Sequence, residues 1–426
     1  MQFLRSFFLL GLALAAGLAR AELTIEITQT PEDAQPIAVT EFTGVQAGEN
    51  LGSIIRSNLN HSGYFRAIGP DTGQAVPAVD GSAEDWLKQA GLVVRGSTST
   101  LPDGRLSFHY TLARLGEGGE VLLDDKLVAG TGRWRDAGHY MSDRIYEKMT
   151  GFRGFFTTHL LYVNQYRRDG KLRYRLGISD MDGKRQVVAL DSAAPIMAPT
   201  WSPDSRRIAY VSFEGGKPAI YMQELYSGQR TRLTDFAGLN SAPAWSPDGR
   251  RVAMTLSRDG NPEIYVMDLA SRELTRVTNH PAIDTEPRWT SDGGSLIFTS
   301  DRSGSPQVYR LNLSTGETRR LTFNGRFNAR ADLSPDGRYL AMVNESGDGQ
   351  YRIALQDLSN GVFNRLTTTP LDASPSFAPN SRMLVYATTR AGKGVLAIIS
   401  LDGRFRLTLP PVDGEIREPV WSSYLR

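Results

Sequence analysis

Pro243-Ala244-Trp245-Ser246-Pro247-Asp248-Gly249 is the stretch whose reading decides the fold. Pro sets φ at about −65°, Asp caps a turn through its side chain, and Gly accepts positive φ, so Ser-Pro-Asp-Gly is a tight turn between two strands. The Pro-x-Trp context recurs at Pro199-Thr200-Trp201, Pro287-Arg288-Trp289 and Pro419-Val420-Trp421. Trp201, Trp245 and Trp289 are 44 residues apart, and Trp421 lies three such steps beyond Trp289. The two positions between hold Leu333, followed by Ser334-Pro335-Asp336-Gly337, and Phe377, followed by Ala378-Pro379-Asn380-Ser381. Six large apolar markers therefore share one register from 201 to 421.

Each interval keeps the same internal order. An alternating run such as Arg251-Val252-Ala253-Met254-Thr255-Leu256 follows the turn. Next come a loop with Pro218, Pro262 or Pro306, and a strand such as Glu263-Ile264-Tyr265-Val266-Met267. The last strand ends in Leu233-Thr234, Val277-Thr278, Leu321-Thr322 or Leu366-Thr367. Four short antiparallel strands per 44 residues describe a β-propeller blade. Residues 157–200 hold three further strand-like runs with no Pro-x-Trp before them, whereas Trp421 opens a blade with no room to finish it. The reading that satisfies both ends is a six-bladed propeller, closed by a C-terminal strand that joins the first three and removes the open sheet edge.

Outward from the repeat, residues 22–150 show no such period. Residues 36–42, 92–96, 106–112 and 121–128 read as strands. Residues 49–60 and 134–149 read as helices, and Ser82-Ala83-Glu84-Asp85 as a further helix start. The expected class is α+β, with a small α/β domain over 22–155 and the propeller over 156–426. Residues 1–21 carry Arg5, a Phe/Leu/Ala/Gly run over 7–18 and Ala19-Arg20-Ala21, which reads as an export signal cleaved after Ala21. The 12-residue run is too short to span a bilayer, which needs about 20 residues. The periplasm is the expected compartment, and no membrane span is expected.

The chain has 426 residues, with 48 basic and 46 acidic side chains, five His and no Cys. Removing Arg5 and Arg20 with the signal leaves 46 of each sign, so nothing electrostatic calls for nucleic acid. Absent Cys excludes disulfides and thiolate chemistry, and His61, His109, His139, His159 and His280 are dispersed. No cofactor, metal or catalytic constellation is expected. Asp180-Met181-Asp182-Gly183 faintly resembles a calcium loop but reads as a β-turn, and Arg206, Arg250, Arg338 and Arg382, five after the markers, read as solvated turn charges.

Recognition is expected just before the markers, in loops around the central channel. Three before stand Ala198, Ala242, Glu286, Arg330, Ser374 and Glu418; five before stand Ile196, Asn240, Asp284, Asn328, Asp372 and Ile416. These vary, whereas the opposite turns repeat closely. Separately, Glu22-Leu23-Thr24-Ile25-Glu26-Ile27-Thr28 alternates polar and apolar residues. It reads either as an edge strand of the small domain or as a mobile strand that a partner adds to its own sheet.

The chain resembles the TolB family of the Tol–Pal envelope system along essentially its whole length. The resemblance rests on the signal, the 22–27 start, Glu147-Lys148-Met149-Thr150-Gly151, Tyr265-Val266-Met267-Asp268-Leu269-Ala270-Ser271, Thr285-Glu286-Pro287, Pro306-Gln307-Val308-Tyr309 and Asp402-Gly403-Arg404-Phe405. It implies a non-enzymatic, monomeric scaffold whose propeller mouth binds the lipoprotein Pal, a mouth some colicins also exploit. The resemblance carries over Asn240, Ser241, Ala242, Thr285 and Glu286, and the positions before the markers complete the expected mouth set with Asp284, Asn328, Arg330, Asp372 and Glu418. Leu239 stands where some members carry His, so that polar contact is not carried over. The resemblance also implies that Glu22, Leu23, Thr24, Ile25, Glu26, Ile27 and Thr28 form the strand recognised by TolA, with a role in outer-membrane integrity and constriction at division. The alternatives are a propeller enzyme of the carbohydrate-lyase type and a cell-wall glycan binder.

Overall fold

The structure is a computed structural model that describes residues 26–29, 33–46, 48–69, 90–115, 119–410 and 412–425. The expected helix start at Ser82, the export signal and residues 22–25 lie outside the described residues.

The repeat is built as its spacing implies. In the Ser246-Pro247-Asp248-Gly249 turn, Gly249 N donates to Ser246 O at 2.9 Å and Arg250 N donates to the Asp248 carboxylate at 3.0 Å. Gly249 sits at φ +69°, where a side chain would strain the backbone. Two of the markers hydrogen-bond the neighbouring blade: Trp201 Nε1 donates to Val420 O at 3.2 Å and Trp289 Nε1 to Ala244 O at 3.0 Å. The guanidinium of Arg207 lies over Trp245, and that of Arg251 over Trp289. The recurring Thr of the last strand has its own reason. Thr234, Thr278, Thr322 and Thr367 accept the amides of Ile220, Ile264, Val308 and Ile353, the second residue of the third strand in blades two to five.

Blades two to six start at Ile196–Trp201, Asn240–Trp245, Asp284–Trp289, Phe327–Leu333 and Ala373–Phe377. Each start is the innermost of four antiparallel strands. Blade one takes its innermost strand, Glu415–Trp421, from the C-terminal end, and that strand pairs with His159–Arg168, then Lys171–Asp180, then Val187–Ser192. The ring closes with strands from both ends, as the sequence implied.

The first domain has a mixed sheet in the order β4-β2-β5-β6-β7, formed by β2 (Gln35–Val39), β4 (Phe65–Ile68), β5 (Leu92–Thr100), β6 (Leu106–Arg114) and β7 (Val121–Ala129), with β3 (Thr43–Gly44) beside β5. Helix α1 (Leu51–His61) is capped by Asn50, whose side chain accepts Ser53 N at 2.8 Å. Helix α2 (Trp134–Thr150) ends at Gly151, φ +76°. Strands β3 and β4 are too short to show in the pattern.

One hydrophobic core runs through both domains. Phe65 and Tyr146 of the first domain pack with Phe155, Phe156, Met383, Phe405 and Trp421. Strand direction fixes which propeller face they cover. The turn after each innermost strand and the turn before each outermost strand share one face. Asn380 and Arg404 of blade six and Asp180 of blade one lie in such turns, and bond Arg153, Asp33 and Arg135. The first domain therefore sits on the Ser-Pro-Asp-Gly face and leaves the opposite mouth open. Arg206, Arg250 and Arg338 are exposed on the covered face's rim, while Arg382 is half-buried with its guanidinium 3.6 Å from the Phe152 ring.

The leading strand corrects one expectation. Strand β1 (Glu26–Gln29) is not an edge strand of the small domain. It adds a fifth strand to blade six, pairing antiparallel with Arg406–Thr408.

Candidate binding site

The residues three before the markers do not lie in loops. They sit within the innermost strands, at a bulge that shifts the register in every blade. Ala198, Ala242, Glu286, Arg330, Ser374 and Glu418 all adopt φ between +47° and +57°. For residues with a Cβ this costs on the order of 1–3 kcal/mol each, a strain that clusters at sites of function. All six line one axial cavity of about 320 Å³, with Ser241 and Thr285 beside them.

The ring is asymmetric in charge. Arg330 Nε lies 3.3 Å from Glu286 and its Nη1 3.7 Å from Glu418, while Nη1 donates to Ser374 Oγ at 2.9 Å. The two carboxylates also accept backbone amides: Glu286 takes that of Arg330 at 2.8 Å, and Glu418 that of Ala198. One guanidinium thus holds two glutamates across the channel. Deeper in, burial pushes the Asp332 carboxyl above its usual range, against the pull of Arg288 at 3.9 Å.

The residues five before the markers are placed differently. Asn240, Asp284 and Asn328 are fully buried, and Asp372 is buried apart from a contribution to the wall of a pocket beside the channel. They hold the loops that lead into each blade. Asn240 Nδ2 donates to Phe236 O at 2.9 Å, and Asn328 Nδ2 to Asn324 O at 2.8 Å. Asp284 accepts both bonds from Arg302 Nη2, and Asp372 accepts Thr369 Oγ1. Burial raises the carboxyls of Asp284 and Asp372 despite these bonds. The clue was present: short amides and acids at four of the six positions suit loop capping better than recognition.

Asp180 and Asp182 form a turn, as read, but their carboxylates face cations of this chain. Arg135 bonds both, Arg185 bonds Asp180, and His139 Nε2 lies 3.2 Å from Asp180. Burial would raise Asp180, but the bonds from His139 and Arg185 outweigh it and hold the carboxyl well below the usual range. Among the described residues no acid or His cluster is arranged to hold a metal ion, and no helix is long and apolar enough to cross a membrane.

An axial channel with a charged, strained ring, open on one face and flanked on the other by an α/β domain, defines a two-domain propeller protein whose mouth is the candidate binding site. The chain belongs to the TolB family: the TolB beta propeller domain matches residues 146–425 and the TolB amino-terminal domain matches residues 23–120. It is 51% identical over 425 residues to the Tol-Pal system protein TolB of Pseudomonas aeruginosa, covering 98% of each chain. It is 50% identical over 408 residues to that of Acinetobacter baylyi, covering 95% of this chain and 94% of the other. The crystal structure of TolB from Acinetobacter baumannii superposes with a TM-score of 0.85 at 44% identity, over 94% of this chain and 99% of that one.

Proposed function

We propose that the protein is a non-enzymatic, monomeric scaffold of the Tol–Pal system in the periplasm, exported by a signal cleaved after Ala21. Its open mouth binds the lipoprotein Pal, and residues 22–28 bind TolA, in support of envelope integrity and constriction at division. Colicins that enter through this system would use the same mouth. The observation that carries the reading is the ring of Glu286, Arg330 and Glu418 at a mouth left free by the first domain. The buried Asn240, Asp284, Asn328 and Asp372 support the site indirectly, by fixing the loops beside it.

Calorimetry with the soluble domain of Pal tests the mouth. Reversing Glu286→Lys together with Glu418→Lys is expected to weaken binding without unfolding the chain, and unchanged affinity would overturn the site. Deleting residues 22–28 is expected to abolish TolA binding while Pal still binds; retained TolA affinity would remove the strand from the proposal.

A further inference from the structure

The residues six before each marker, three before the strained ring positions, are Pro195, Leu239, Ile283, Phe327, Leu371 and Glu415. Four consecutive blades, three to six, therefore present an apolar residue at the rim. Ile283 and Leu371 are 47% and 62% exposed, and Phe323, in the loop that leads into blade five, is 70% exposed. Tyr351, also on this face, is 38% exposed, while Leu172 and Met197 are exposed singly on blades one and two. An apolar arc of this kind on one side of a mouth marks a protein-contact surface rather than scattered exposure.

The arc deepens into a pocket at blade five. Blades two to four carry Pro218, Pro262 and Pro306 just before the third strand, and blade five carries Tyr351 there. Unlike Pro, Tyr has a backbone N–H. Tyr351 N donates to Pro370 O at 3.0 Å and Tyr351 O accepts Asp372 N at 2.9 Å, which clamps the loop carrying Leu371. The Tyr351 ring meets that of Phe327 edge-on, with centroids 5.4 Å apart. Together with Ala329, Val343 and Leu371 they enclose an off-axis cavity of about 300 Å³, bounded toward the channel by Glu286 and Arg330.

We infer that the partner held at this mouth inserts one bulky apolar side chain, aromatic or branched aliphatic, into the pocket walled by Phe327, Tyr351 and Leu371. This rests on the reading of the mouth as a protein-binding face. The insertion also sets orientation. A pseudo-six-fold ring offers six rotational registers to a partner, and only one places an anchor over blade five. Deeply seated apolar anchors of this type carry most of an interface's affinity.

The experiment measures binding of the soluble domain of Pal by calorimetry to three variants: Leu371→Asp, Tyr351→Ala, and Glu286→Lys with Glu418→Lys. Leu371 is largely exposed, so its substitution leaves the core intact. Leu371→Asp and Tyr351→Ala are each expected to weaken Pal at least about tenfold, as loss of a hot spot does. Parent-like affinity in both, with weakened binding in the charge variant, would overturn the pocket and leave the mouth reading standing. Parent-like affinity in all three would overturn both. Should Tyr351→Ala unfold, titrating indole into the methyl-labelled parent decides. Larger shifts at Ala329, Val343 and Leu371 than at Ala198 and Ala242 support the pocket, and equal or absent shifts overturn it.

Discussion

Arg135 Nε donates to Asp180 Oδ2 at 3.0 Å across the boundary between the two domains, with both side chains buried. The same guanidinium also bonds Asp182 and Glu49. Burying such charges is tolerable only while they are paired; removing Arg135 strips buried Asp182 of its cation, although Asp180 keeps Arg185, and breaking a buried pair costs about 3–5 kcal/mol. Arg135→Met is therefore expected to lower the unfolding free energy by about that amount. Urea unfolding of parent and variant checks it, and a loss below about 1 kcal/mol would mean that the cluster does not lock the domains.

Acid should loosen the same interface from a second direction. Burial lowers His61 from 6.5 to about 4, against the attraction of Asp182. A depressed folded value means that the unfolded chain takes up the proton first. The contribution is complete above pH 6.5 and is lost as pH falls toward 4, to a limit of about 3 kcal/mol. Burial lowers His159 too, with the same sign. The urea midpoint of His61→Leu is expected to fall less than that of the parent between pH 7 and 4.5. Parallel slopes would exclude His61 as a source.

These two interface clusters were not legible in the sequence, whereas the ring was. The blade repeat is enforced locally, through the turn and through the Thr that accepts an early amide of the third strand, which return at steps of 44 or 45 residues, and in part through marker Trp bonds to a neighbouring blade. The strained ring was legible as variation within the repeat. Its bulge was not, because a register shift is a property of two paired strands and leaves no residue pattern of its own. That is why Asn240 and Asn328 read as mouth residues although they cap loops. The apolar arc of Leu239, Ile283, Phe327 and Leu371 lies one position before the buried Asn and Asp positions, where the repeat keeps no single residue. The contact of Arg135 with Asp180 joins segments 45 residues apart in different domains, which no periodicity encodes.

Strand β1 offers a prediction of its own. Ile27 pairs with Leu407 and Glu26 with Thr408, so β1 covers the outer edge of blade six. The outermost strands of blades two to five are only three residues long and carry Arg, which discourages further pairing. Deleting residues 22–29 is expected to speed amide exchange at Arg406–Thr408 and to leave Arg230–Arg232 of blade two unchanged. Ile27→Pro should act in the same direction, because Pro removes a ladder donor. Exchange by mass spectrometry reads both; an unaltered rate at Arg406–Thr408 would mean that β1 is not docked in solution.

The closing strand can be tested at one residue. Gly414 stands at φ +98° directly before Glu415–Trp421, and a Cβ there would lie 2.3 Å from the carbonyl oxygen of Gln165 on the paired strand. Gly361 also has positive φ, +77°, but a Cβ would meet nothing within 4 Å. Both Gly→Ala substitutions incur backbone strain of about 1 kcal/mol, and only the first adds a collision with backbone that cannot move without opening the ring. Gly414→Ala is therefore expected to cost at least about 1–2 kcal/mol more than Gly361→Ala in urea unfolding. The same collision displaces the start of the strand that carries Glu418, so Gly414→Ala should also weaken Pal binding, and Gly361→Ala should not. Equal losses of stability from the two substitutions would mean that the junction at Gly414 yields, and that ring closure does not hold the mouth in place.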